Sequence, residues 1–309
     1  MKLFYYQRPD GLTNFGDHLN PWLWERLLPG VFDGDENTTF IGIGTLLNHL
    51  LPQRVSESQK LLIFSTGAGY ERKLTSIPDS WRIYCVRGFL SAQQLGLSNE
   101  FAVTDGAVLI RRLFKPVSQK TNSFAFMPHV HHAKSAGTLW AQVCRQIGFQ
   151  YIDPCWPVEK VLSAISQTEV LLAEAMHGAI AADALRIPWI PIITSPRMLT
   201  FKWQDWCSSL GLKYKPYYIL PLGKFYPPSA RGLRSSIRYG HYCLNWLSQS
   251  SLNSLPQLLR TKQDSAATQL EHIAYDVTPN LSSDSRIEQL TIALEKKLDQ
   301  LKTDLGYVI

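Results

Sequence analysis

EAMHGAIAADALRIPWIPI, residues 174–192, decides the fold. The preceding TEVLLAEAM (168–176) reads as a buried strand, GAIAADALRI (178–187) as a helix, and PWIPII (188–193) as a second buried strand. Two apolar strands joined by one helix form the unit of a parallel α/β sheet. Ala179, Ala181, Ala182 and Ala184 let that helix lie close on the sheet. His177 and Gly178 stand where the strand ends and the helix begins. Open α/β sheets bind ligands at the carboxyl ends of their strands. A helix start also offers N–H groups and partial positive charge to an anion. Gly178 permits close approach to the backbone. His177 is therefore the leading candidate for a catalytic residue, against the plainer reading of a histidine satisfied within the core.

Outward from this unit, the same alternation continues. On the N-terminal side lie the strand SFAFMPHV (123–130), the amphipathic helix AGTLWAQVCRQIGF (136–149), the strand FQYIDP (149–154) and the helix VEKVLSAISQ (158–167). KPVSQKTNS (115–123) reads as a linker. Before it come the strand MKLFYY, a polar loop, a helix PWLWERLL opened by Pro21, the strands in TTFIGIGTLLNHL, KLLIFSTGAGY and WRIYCVRG, a short helix SAQQLG, and a strand–turn element FAVTDGAVLI. The expected fold class is α/β, with two Rossmann-like domains, residues 1–115 and 116–284, facing across a cleft. The remaining segment, 285–309, reads as an amphipathic helix. Ser285 and Glu288 form a capping-box pattern, and an apolar face from Ile287 to Leu305 is expected to pack back on the first domain.

Hydrophobic residues make up 45% of the chain and charged residues 18%, a composition that supports a packed core and excludes disorder. No stretch reaches the length of a spanning helix, and MKLFYYQRPDG lacks the apolar run of a signal peptide, so a cytoplasmic location is expected. Five cysteines without a C-x-x-C pair read as ordinary thiols. The net charge of +6 is unevenly placed: no acidic residue occurs between Asp205 and Asp264. Residues 213–238 combine this basic character with several tyrosines, which suits a polyanion or an anionic membrane surface such as the inner face of the plasma membrane, against the plainer reading of a solvated basic face. No nucleic-acid motif accompanies the charge, and nucleic acid is not expected as a partner.

Other residues of chemical interest lie at strand ends. In TNFGDHLN, Asn14 could bond a sugar or phosphate oxygen, and Asp17 could orient or deprotonate a hydroxyl. The turns Gly42-Ile43-Gly44 and Gly67-Ala68-Gly69 resemble phosphate cradles without completing a known motif. Arg87 ends a strand and could grip a carboxylate or phosphate bidentately. Arg197 and Lys202 follow the strand after His177 and could neutralise phosphate. PHVHH (128–132) places His129 and His131 where an extended segment could share a metal, but no matching ligand cluster occurs elsewhere, so no metal is expected.

NFGDHLN (14–20), IGIGTLL (41–47), GAGY (67–70), VRG (86–88), VTDGAVL (103–109) and EAMHGAIAADALRIPW (174–189) occur in this order, and the ordered set resembles polysaccharide pyruvyl transferases, closest to the succinoglycan-type branch. The resemblance covers residues 1 to about 210. It implies a two-domain fold in the manner of glycosyltransferase-B enzymes, with residues 1–115 on the acceptor side and 116–284 on the donor side, and phosphoenolpyruvate as co-substrate, with no cofactor. It implies a saccharide or lipid-linked oligosaccharide acceptor, on which pyruvate closes a ketal with release of phosphate. On that reading His177 is the acid or phosphate partner and Asp17 the acceptor-side base. Asn14, Gly44, Gly67, Arg87, Asp105, His129, Glu174, Gly178, Arg197 and Lys202 would bind substrate. Many members carry an arginine two residues before the histidine. Here that position is Ala175, so another cation must hold the donor. The alternatives are a nucleotide-sugar glycosyltransferase of similar fold, a non-catalytic glycan-binding protein, and a metal hydrolase using His129, His131 and His177.

Overall fold

The structure, a computed structural model, describes residues 1–196, 198–222, 233–249 and 261–306, with the backbone only of 233–236. Two α/β units emerge. The first comprises residues 1–115, 199–214 and 282–309, and the second 116–198 and 215–281. The second is therefore not one continuous block, because residues 199–214 belong to the first unit.

In the first unit, β1 (Lys2–Phe4), β2 (Thr38–Ile41), β3 (Lys60–Phe64) and β4 (Trp81–Cys85) form a parallel sheet in sequential order. The helices are α1 (Phe15–Leu27), α2 (Leu51–Arg54), α3 (Phe89–Leu95) and α4 (Ile110–Leu113). Pro21 does not open α1 but lies inside it. An interior proline deprives the carbonyl four residues back of its donor. Here that carbonyl belongs to Asp17, and the Asn20 side chain supplies the missing N–H at 3.1 Å. FAVTDGAVLI is not a strand: Ala102 makes an isolated bridge to Val86, and Gly106–Leu109 form a 3₁₀ turn.

The second unit carries β5 (Asn122–Met127), α5 (Val130–Gln146), β6 (Gln150–Tyr151), α6 (Val158–Ser166), β7 (Thr168–Ala173), α7 (Met176–Ala184), β8 (Trp189–Ile193) and β9 (Tyr217–Tyr218). All its strands are parallel, in the order β6-β5-β7-β8-β9. Counted within the unit this is 2-1-3-4-5, a doubly wound order whose direction reverses between β5 and β7. The core is built from Phe126, Trp140, Leu172, Ile190 and Ile192, which are at most 1% exposed.

Helix α8 (Thr200–Leu210) lies in the first unit, α9 (Leu233–Gln249) and α10 (Lys262–Asp276) in the second. Helix α11 (Asp284–Asp304) lies in the first unit and buries Ile287, Leu290, Leu294, Leu298 and Leu301. Its cap differs from the expected box. Ser283 is the N-cap, its Oγ accepting the Arg286 N–H at 3.2 Å. Glu288 is released to pair with Arg111 and, at 2.6 Å, with Arg112.

Candidate active site

The point where strand order reverses is the place such a sheet offers to a ligand. The chain leaves β5 as Pro128-His129 and β7 as Glu174-Ala175, so both segments open at that point. In α7 every residue except His177 is buried. The helix is a buried wedge, and His177 is its one partly buried residue, with Nε2 out of contact with solvent. Gly178 sits over Met127 of β5, where a Cβ would crowd the thioether. Gly178 thus seats α7 on the sheet.

Glu174 is fully buried. Its carboxylate accepts the His129 N–H at 2.9 Å, the Thr194 N–H at 2.7 Å and the Thr194 hydroxyl at 2.8 Å. The fourth contact is His132 Nδ1, 2.6 Å from Oε2. Burial alone would raise this carboxyl; the charge and hydrogen bond of His132 and the two main-chain donors outweigh it and hold Glu174 below the usual range. Glu174 therefore binds neighbouring strand ends and a histidine rather than substrate. His129 is the N-cap of α5, and His131 and His132 lie in its first turn. That overturns the extended segment assumed for a metal pair. Among the described residues no group of three histidines, cysteines or carboxylates is placed to hold a metal ion.

Several candidates of the first unit prove to be structural. Arg87 is fully buried and its guanidinium is spent on protein: Nε on Asp205 at 2.9 Å, Nη1 on the Gly44 carbonyl at 3.1 Å and Thr45 Oγ1 at 2.7 Å, Nη2 on the Ala68 carbonyl at 3.3 Å. It has no face to offer a phosphate. Gly67 is not a phosphate cradle either, because a Cβ there would overlap that guanidinium. Gly44, at φ +143°, serves the same network through its carbonyl. Asp105 is buried and caps the following turn, accepting the Ala107 N–H at 3.0 Å. Lys202 is 7% exposed and donates to Tyr70 OH at 3.0 Å within the first unit. Asn14 donates to Asp17 at 2.7 Å, and both are half-buried at the start of α1. Arg197 lies outside the described residues.

The family model for polysaccharide pyruvyl transferase matches residues 14–196, more than half of the chain. The chain belongs to the polysaccharide pyruvyl transferase family. Over 219 residues it is 39% identical to the succinoglycan biosynthesis protein ExoV of Rhizobium meliloti (strain 1021), covering 70% of this chain and 67% of that one.

For a pyruvyl transferase family member, the matched span runs from the start of α1 past the end of β8, taking in β2–β4 of the first sheet and β5–β8 of the second. Ala175, in place of the expected arginine, is the N-cap residue of α7. Its methyl group brings no charge to the strand end. The groups that the described residues do place there are His129, His132, His177 and the start of α7. His132 and Thr194 were not singled out by sequence. The signal available was the third histidine of PHVHH, but its partner lies 42 residues away.

Proposed function

We propose that this chain transfers pyruvate from phosphoenolpyruvate onto two hydroxyls of a sugar, in an exopolysaccharide or its lipid-linked precursor, forming a ketal and releasing phosphate. The observation that carries the reading is the partly buried His177 at the start of an otherwise buried helix, at the strand-order reversal of a doubly wound sheet. The chemistry requires a proton delivered to the methylene carbon, which makes C2 electrophilic. A sugar hydroxyl then bonds C2 and gives its proton to a base. Phosphate departs with the C–O electron pair, and the second hydroxyl closes the ring. The histidines and the helix start of the second unit suit the anionic donor. Asp17, held by Asn14, is assigned to the acceptor hydroxyl. The test is phosphate release from phosphoenolpyruvate by the full chain with free and lipid-linked oligosaccharides. Acceptor-dependent release is expected. A protein that neither binds phosphoenolpyruvate nor releases phosphate would sink the reading.

We place the protein at the cytoplasmic face of the plasma membrane. Among the described residues no helix is long and apolar enough to cross a bilayer. The part of 213–238 that falls within 223–232 lies outside the described residues. Helix α9 exposes Ile237, Leu244 and Leu247 at 50%, 65% and 57%. At about 100° per residue these fall on one face, with exposed Arg238 and His241 beside it. An apolar face beside the Arg238 cation, in a stretch without acids, suits an anionic lipid surface. Vesicles of phosphatidylglycerol should co-sediment the protein severalfold better than phosphatidylcholine vesicles, and Leu244→Glu should abolish the difference. Equal binding to neutral vesicles would remove the idea.

A further inference from the structure

The most tightly organised polar cluster of the second unit is not centred on His177. It is the fully buried Glu174 after β7, clamped by donors from the segments that follow the two neighbouring strands: His129 and His132 after β5, and Thr194 after β8. A fully buried carboxylate does not reach a ligand. What it does is orient a group that can. A carboxylate only accepts, so at 2.6 Å the proton of that bond sits on His132 Nδ1. The His132 side chain is 15% exposed, and proton exchange with a bound molecule would pass through Nε2. A buried anion at Nδ1 fixes the tautomer and stabilises the imidazolium, the arrangement by which a carboxylate supports a proton-transferring histidine.

The geometry points to His132 as the catalytic acid of donor activation, with Glu174 as its positioning residue, leaving His177 to the phosphate. The inference rests on the pyruvyl-transfer reading above. In the step, imidazolium Nε2–H gives its proton to the methylene carbon of phosphoenolpyruvate, and the C=C electron pair forms the new C–H bond. C2 becomes the cationic centre stabilised by its oxygen, and the sugar hydroxyl adds there as its proton passes to the acceptor-side base. The C2–O bond to phosphate then breaks with its electron pair leaving on phosphate, the second sugar hydroxyl bonds C2 as its proton passes to the departing phosphate, and His132 recovers a proton from solvent for the next turnover.

Among the described residues, Glu174 and His129, its ring 6.1 Å away, face His132, and His131 adjoins it; Tyr242 of α9 feels the Glu174 charge, its hydroxyl pushed up by burial first and then by that charge. Four measurements on the full chain test the assignment. His132→Gln should lower kcat for acceptor-dependent phosphate release about a hundredfold or more, while phosphoenolpyruvate binding stays within threefold. Glu174→Gln should move the alkaline limb of the kcat profile to lower pH, because the imidazolium loses its counter-charge; a merely structural role would lower the rate equally at all pH values. The third, the acceptor-dependent rate of wild type itself, separates this inference from its foundation. If wild type turns over and His132→Gln keeps its rate within threefold, the assignment falls alone. If wild type neither binds phosphoenolpyruvate nor releases phosphate, the underlying reading falls with it. The fourth needs no variant: nitrogen-15 NMR of wild type should find neutral His132 protonated on Nδ1, and the opposite tautomer overturns the proposal.

Discussion

Replacing His177 by alanine should reduce acceptor-dependent phosphate release roughly 10²–10⁴-fold, the range expected when a group that contacts the reacting phosphate or transfers its proton is removed. The prediction follows from position. His177 is half-buried, while Met176 and Gly178 through Ala184 are buried. Removing the imidazole therefore leaves the packing of α7 on the sheet intact, and alanine is the better helix former. The thermal midpoint should move by no more than about 2 °C. If His177 holds phosphate, the KM for phosphoenolpyruvate should rise as kcat falls. A rate within threefold of wild type, on a folded protein, would exclude His177 from the site.

The largest loss of stability should come from Arg87→Met. Arg87 and Asp205 are both fully buried, 118 residues apart in sequence, and joined at 2.9 Å. Asp205 also accepts the Ser91 N–H at 2.8 Å and the Ser91 hydroxyl at 2.5 Å. Removing the arginine leaves a carboxylate out of water with only those two donors. Breaking one side of a buried pair costs about 3–5 kcal/mol. That corresponds to a fall in thermal midpoint of roughly 10 °C, measurable by circular dichroism. The double variant Arg87→Met with Asp205→Leu should recover much of the loss, since neither charge is then stranded. Had Arg87 gripped the donor instead, Arg87→Met would weaken phosphoenolpyruvate binding with an unchanged midpoint. That result would restore the role suggested by its place at a strand end.

The glycine of the VRG motif shows why that role looked attractive. Gly88 follows Arg87, and a Cβ on it would overlap the main chain of Asp205. Gly67 is bare for the Arg87 guanidinium in the same way. A glycine beside an arginine near a strand end looks the same in sequence whether the space admits a ligand or another helix. Here α8 fills it.

Local pattern alone determined a good deal. Apolar runs of five or six residues separated by helix-period segments specify strands and helices, because burial of one face imposes its period on the chain. The unit 168–193 could therefore be read directly, with His177 at the start of its helix. The ordered motifs were enough to suggest the family. Tertiary structure alone decided which strand ends lie side by side. The order 2-1-3-4-5 brings β5, β7 and β8 together, and so makes a cluster of His132, Glu174 and Thr194, which are spaced 42 and 20 residues apart. It also sent α8 to the first unit, carrying Asp205 to Arg87 and Lys202 to Tyr70. The physical reason is that periodicity records whether a side chain leaves water, not what it meets there. A buried charge needs a partner of opposite sign, and the choice of partner is made by the packing of elements far apart in the chain.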